Sequence, residues 1–176
     1  MRKFIFIISI LSICFFVLNC SRYHILKETS KPPDLNRYNK IYVSWLNLNE
    51  SDWETYGYGS IKAWKVCIKE MNLLGLQKYL QDLLPNKKIS GDKSQSRVLP
   101  TDEGLYVKSN IIKIERSWGR IRSINVRFHF YDIKTKKKLY DANVEATSRG
   151  AHWNNFEALL DATVYNMAKF IAEKIE

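Results

Sequence analysis

Ile124, Val126, Phe128 and Phe130 alternate with Asn125, Arg127, His129 and Tyr131, which is the two-residue period of a strand with one buried face. Asp132 to Lys138 supplies a turn, and Leu139, Ala142, Val144 and Ala146 predict the return strand. Upstream, Leu105-Tyr106-Val107 and Ile111-Ile112-Lys113-Ile114 predict one long strand whose alternation changes phase at Ile111-Ile112, the mark of a bulge. Together these make a three-strand antiparallel meander. Lys40 to Trp45 is β-branched and aromatic and predicts an earlier strand, and Lys88-Ile89 an edge strand.

Helical spacing is seen in two places. Ile61, Trp64, Ile68 and Met71 recur with lysines between them, and Leu76, Leu80, Leu83 and Leu84 continue after Gly75, a kink position, before Pro85 ends the run. Phe156, Leu159, Leu160, Thr163, Val164, Met167, Phe170, Ile171 and Ile175 predict a final helix. The element order implies an α+β fold: a two-layer α/β sandwich with a mostly antiparallel sheet and two helices on one face. The other face would display Lys113, Arg127, His129 and Lys138.

The N-terminus follows a different pattern. Arg2 and Lys3 precede an uninterrupted apolar stretch from Phe4 to Leu18, the layout of a secretory signal peptide. It is short for a bilayer span of roughly 20 apolar residues. An uncleaved anchor helix is the alternative, and in both cases the domain leaves the cytoplasm. Val17-Leu18-Asn19-Cys20-Ser21 resembles the lipobox of bacterial lipoproteins, in the relaxed form found in spirochaetes, with Leu18 and Asn19 where small residues are usual. The resemblance implies that Cys20 receives diacylglycerol, that the signal 1–19 is removed, and that acyl chains such as palmitate hold the mature protein at a membrane. Two or three such chains anchor stably where one does not. Residues 20–37 contain Lys31-Pro32-Pro33-Asp34 and few large apolar side chains, which predicts a lipidated flexible tether with a reach of about 50 Å. Residues 38–176 are then one domain.

With Cys14 in the signal and Cys20 carrying lipid, Cys67 is left without an intramolecular disulfide partner. Its neighbours Val66, Ile68 and Met71 predict a buried, inert thiol. The formal charge of +10 suits anionic head groups or an acidic protein surface, and equally a solvated, soluble exterior. Export makes nucleic acid an unsuitable partner. His24, His129 and His152 have no second ligand at metal spacing, and no phosphate loop or nucleophile elbow is present. Solvated polar roles are expected for all three. No catalytic residue, cofactor or metal site is expected, and hence no enzyme.

Three segments remain as candidate contacts. Trp53, Tyr56 and Tyr58, beside Glu50, Asp52 and Glu54, offer aromatic area to a partner, or fold down over a sheet edge. Lys134, Lys136, Lys137 and Lys138 suit an anionic surface, or simply protect a hairpin tip. Arg116, Arg120 and Arg122 form a second basic set at the preceding turn. The segment Asp132-Ile133-Lys134-Thr135-Lys136-Lys137-Lys138-Leu139-Tyr140 resembles the hairpin of small envelope-assembly lipoproteins of the curli-secretion and penicillin-binding-protein-activator type, with Lys136 at the usual glycine position. That resemblance implies a shared fold and an assembly role, without catalytic residues.

The expectation is a membrane-anchored envelope lipoprotein, most naturally of the outer membrane on its periplasmic or surface side, with a non-catalytic protein-docking or assembly role. The alternative is a binding module for lipopolysaccharide or another anionic envelope glycolipid, since the layout is similar to that of the lipopolysaccharide-assembly lipoprotein. Replacing Cys20 by Ala should abolish acylation and leave an uncleaved or soluble species. Mass spectrometry that found the native protein with an unmodified Cys20 would refute the anchor.

Overall fold

The computed structural model describes residues 23–28, 33–48, 54–56, 68–69, 71–72, 75–92, 103–117, 120–147 and 156–176. The strands are β1 (Tyr23–Glu28), β2 (Lys40–Ser44), β3 (Asn47–Leu48), β4 (Glu54–Tyr56), β5 (Lys88–Asp92), β6 (Leu105–Ser117), β7 (Arg120–Asp132) and β8 (Lys138–Thr147). The helices are α1 (Leu76–Leu83) and α2 (Phe156–Ile175). The expected signal and Cys20, together with Trp53, Tyr58, Cys67 and His152, lie outside the described residues.

One mixed sheet runs in the order β1-β8-β7-β6-β2-β5. The β6–β7–β8 meander and the β1–β8 pair are antiparallel, whereas β2 is parallel to both β5 and β6. The expected bulge is present: the β6–β7 register shifts between Ile111 and Lys113, which leaves Ile112 without an opposite residue and keeps Ile111 and Ile114 both buried. Two short strands also run parallel to β6, with β3 opposite Asn110–Ile111 and β4 opposite residues 113–115. These strands are two and three residues long, too short for a period to be read.

Both helices lie against the face carrying Ile124, Val126, Phe128 and Phe130, each with no exposed surface. Phe170 of α2 is the pivot, its ring centroid 5.2 Å from Phe128 and 6.5 Å from Phe130. Leu160, Val164, Met167 and Ile171 extend the same buried stripe. Residues 68, 69, 71 and 72 are helical, and Gly75 then adopts φ 91°, a left-handed conformation that costs glycine little. Its amide donates to the Met71 carbonyl, so the expected kink is a break between two helical pieces.

The tether is corrected. Residues 20–37 were expected to be flexible, yet Tyr23–Glu28 forms the outermost strand, paired with residues 142–146 of β8. Leu35 is 1% exposed and joins the core, so the folded unit starts no later than Tyr23 rather than at Tyr38. Tyr23 packs edge-on against Phe170 at 5.3 Å, and its hydroxyl donates to Glu173 of α2. Tyr140 donates to Glu28, and Lys174 approaches the same carboxylate at 3.4 Å. Backbone pairing and these end contacts hold a strand that has little apolar signature of its own.

Truncating a fully buried aromatic ring costs about 3–5 kcal/mol, so Phe128→Ala should lower stability by that amount in chemical denaturation. Arg127→Ala, on the opposite face of the same strand, should cost less than about 1.5 kcal/mol, the scale of one hydrogen bond. Equal losses would contradict the assigned faces.

Candidate interaction surfaces

The face of the sheet turned away from the helices is built from cross-strand rows. Reading across β6, β7 and β8, Lys108 stands beside His129 and Asp141, Asn110 beside Arg127 and Asn143, and Lys113 beside Asn125 and Glu145. Opposed positions in antiparallel strands bring side chains within about 5 Å, and the polar groups use that proximity. Arg127 Nε donates to Asn143 Oδ1 at 2.9 Å. Within single strands, Lys113 Nζ lies 2.9 Å from Glu115, and Lys138 Nζ 3.0 Å from Asp141.

His129 differs from its expected solvated role. Its side chain is only 16% exposed, and Nδ1 lies 3.2 Å from Asp141 Oδ1 without the alignment of a hydrogen bond. Burial holds the imidazole pKa below its ordinary 6.5; Lys138, Arg127 and Lys108 push in the same direction, and Asp141 opposes them. Beside it, a hollow of about 140 Å³ is lined by Lys27, Glu28, Arg127, Asp141, Ala142 and Asn143. These residues come from three strands, and the β1 members enter only because that strand joins the sheet.

The two sheet edges are finished differently. At β5, α1 seals the edge: Gln81 Oε1 accepts from the Ile89 amide, and Gln81 Nε2 and Gln77 Nε2 donate to the Lys87 and Ile89 carbonyls. A groove of about 470 Å³ remains between α1 at Gln77, Gln81 and Asp82 and the sheet at Val43 and Gly91, with Trp45 just beyond the end of β2. At the far edge, β1 carries Ile25 and Leu26, 40% and 53% exposed. The register shift between Ile25 and Lys27 and the charge of Lys27 are edge-protecting devices against indiscriminate strand pairing.

The β7–β8 turn is built as its sequence implies. Asp132 Oδ1 accepts from the Thr135 amide at 2.8 Å, and Thr135 Oγ1 accepts from the Lys137 amide at 3.4 Å. Lys136 has φ 56°, so it takes the left-handed conformation at the position where the resembling hairpins have glycine. Tyr38 donates to the other Asp132 oxygen at 2.6 Å, and these donors hold the carboxyl below its usual range. Of the four lysines, Lys134 lies 3.5 Å from Glu103 and Lys138 contacts Asp141. Tyr56 belongs to β4 and pairs with Glu115 through the backbone.

Among the described residues, no group of three or more His, Cys, Asp or Glu side chains is arranged to hold a metal ion, and no helix is long and apolar enough to cross a membrane. His24 is exposed. Asp141, Asn143, Lys27 and Glu28 were missed as surface partners, because they meet Arg127 and His129 only through the strand register.

No family model and no curated protein matches the chain. Its likenesses are to solved structures. A crystal structure of an uncharacterized protein shares 10% identity at a TM-score of 0.51, covering 84% of this chain and 97% of that one. The PelC dodecamer from Paraburkholderia phytofirmans gives 11% and 0.47, over 81% and 92%. A Xanthomonas campestris protein of DUF330 gives 7% and 0.44, over 77% and 81%. At these identities only fold is shared, and the first supports it: the chain is a two-layer α+β sandwich with a mixed, largely antiparallel sheet.

The half-buried His129 generates a pH dependence. Its pKa is lower in the folded state, so the unfolded chain takes up the proton first and stability rises with pH through the interval below 6.5. The contribution is complete above that value and is lost as pH falls toward the folded pKa. Asp132 and Glu28, whose carboxyls are held low, lose their contributions in a more acidic range. Urea midpoints should therefore climb between pH 5 and 7.5 in the native protein and flatten in His129→Gln; an unchanged slope would assign it elsewhere.

Proposed function

We propose that this chain is a lipid-anchored, non-catalytic protein of the cell envelope that docks a protein partner on the polar face of its sheet. Acyl chains on Cys20 hold it to the membrane, and the outer membrane is the placement we favour. The observation that carries the docking role is the preorganised polar face. The helices cover the other side, while the rows centred on Asn110, Arg127 and Asn143 and on Lys108, His129 and Asp141 present polar groups of mixed charge, with Arg127 already hydrogen-bonded to Asn143 and Asp141 already paired with Lys138. Side chains fixed before association give up less rotamer freedom when a partner arrives, and rows of mixed sign favour a complementary protein surface over a uniformly anionic one.

The start of β1 at Tyr23 sharpens the anchoring. Three residue steps separate Cys20 from the sheet, a reach of about 10 Å, so the domain stands against the head groups instead of floating free. A photo-crosslinking residue placed at Lys108 or Asn143, in the full chain in intact envelopes, should give one discrete protein adduct. The same residue at Lys78, exposed on α1, should not. Adducts from Lys78 and none from the sheet face would move the docking surface to the helical layer.

A further inference from the structure

The strand register determines which end of the domain meets the bilayer. β1 joins the sheet with Tyr23 opposite Ala146, close to the end of β8. That end of β8 lies against the start of β7, with Thr147 opposite Ser123. The β6–β7 hairpin closes just beyond, with Ser117 opposite Arg120 and Arg116 opposite Ile121. Hence the first residues after the anchor and the turn bearing Arg116, Arg120 and Arg122 occupy the same end of the sheet. The lysine turn occupies the other end, where Tyr131 pairs with Lys138. The ten residues of β8 put about 30 Å between the two ends at 3.3 Å per residue.

We propose that the end of the sheet carrying Arg116, Arg120 and Arg122 binds the anionic lipid phosphates of the bilayer in which Cys20 is anchored, leaving the Lys134–Lys138 turn directed away from it. This rests on the reading that Cys20 is lipidated. With a linker of about 10 Å, the arginine end lies within reach of the head groups. Electrostatic attraction falls off over roughly 8 Å in physiological salt, so charges about 30 Å further along a strand contribute nothing to the same surface. Guanidinium groups pair with phosphate oxygens in a bidentate fork that lysine cannot reproduce. Glu115, the carboxylate next to this turn, is already matched by Lys113 at 2.9 Å. Ile25 and Leu26, the exposed large apolar side chains among the described residues, lie on the strand that leaves the anchor and add apolar contact on the same side. Acyl chains combined with a basic patch are a recognised route to stable membrane attachment, and here the patch also orients the docking face.

The test uses the mature, lipidated chain with Cys67→Ser, reconstituted in phosphatidylethanolamine vesicles with and without phosphatidylglycerol and carrying a head-group quencher. A fluorophore is attached through Ser117→Cys in one sample and Lys136→Cys in another. With phosphatidylglycerol present, the label at 117 should be quenched several-fold more than the label at 136. That difference should shrink when phosphatidylglycerol is omitted, when salt is raised to 1 M, where the screening length is about 3 Å, or when Arg116, Arg120 and Arg122 are all changed to Gln. Equal quenching at the two positions, stronger quenching at 136, or indifference to phosphatidylglycerol would overturn the proposal. Should the triple variant fail to fold, the lipid comparison on the unsubstituted chain still decides. Mass spectrometry of the same sample separates the two levels: an unmodified Cys20 overturns the anchor and this proposal with it, whereas a lipidated chain without the contrast overturns only the orientation.

Discussion

The packing of one face of β7 onto Phe170 is the constraint on which the other features depend. Side chains alternate strictly across a pleated strand, so a slip of one residue would carry Phe128 and Phe130 to water and bring Arg127 and His129 under α2. Ile124, Val126, Phe128 and Phe130 have no exposed surface, and Phe170 touches two of their rings. With that register held, the neighbouring strands have no freedom left. Asp141 and Asn143 must stand beside His129 and Arg127, and the single-residue bulge at Ile112 lets both halves of β6 keep their apolar residues on the helical side.

The same register produces the polar face as a by-product of the core. Val126, Phe128 and Phe130 on β7 each stand between polar or hydroxyl-bearing neighbours that point the other way, and the strands on either side supply partners for these. His129 is low in pKa because this face is crowded with tyrosine, lysine and arginine side chains, which keep water out and resist a further positive charge. A surface of this kind is ordered without being apolar, and that combination suits recognition by a protein of complementary charge better than a greasy contact.

The strand β1 connects core to surface. It completes the hollow near Arg127, fastens through Tyr23 and Glu28 to α2 and β8, and brings the sheet to within three residues of Cys20. The opposite edge, β5, is closed by Gln77 and Gln81 of α1. The sheet therefore has one sealed edge and one that faces the side of its proposed anchor, an asymmetry in keeping with a domain that works in one orientation.

Much of this was legible along the chain. The meander, the Ile111–Ile112 bulge, the inward set on β7, the break at Gly75 and the Asp132–Thr135 turn were all readable, because each is written in local periodicity or local turn chemistry. The lipobox-like segment and the positive charge are also properties of sequence. Only tertiary structure decided the rest. β1 reads as tether because its six residues include no fully buried side chain and its Ile25 and Leu26 are exposed, so its place in the sheet comes from hydrogen bonds and ring contacts with residues more than a hundred positions away. The short β3 and β4 strands depend in the same way on β6. Which residues face one another across the open surface, and which basic turn shares an end with the start of β1, are questions of register. Register is set by long-range pairing, which leaves no mark on the spacing of residues within any one strand.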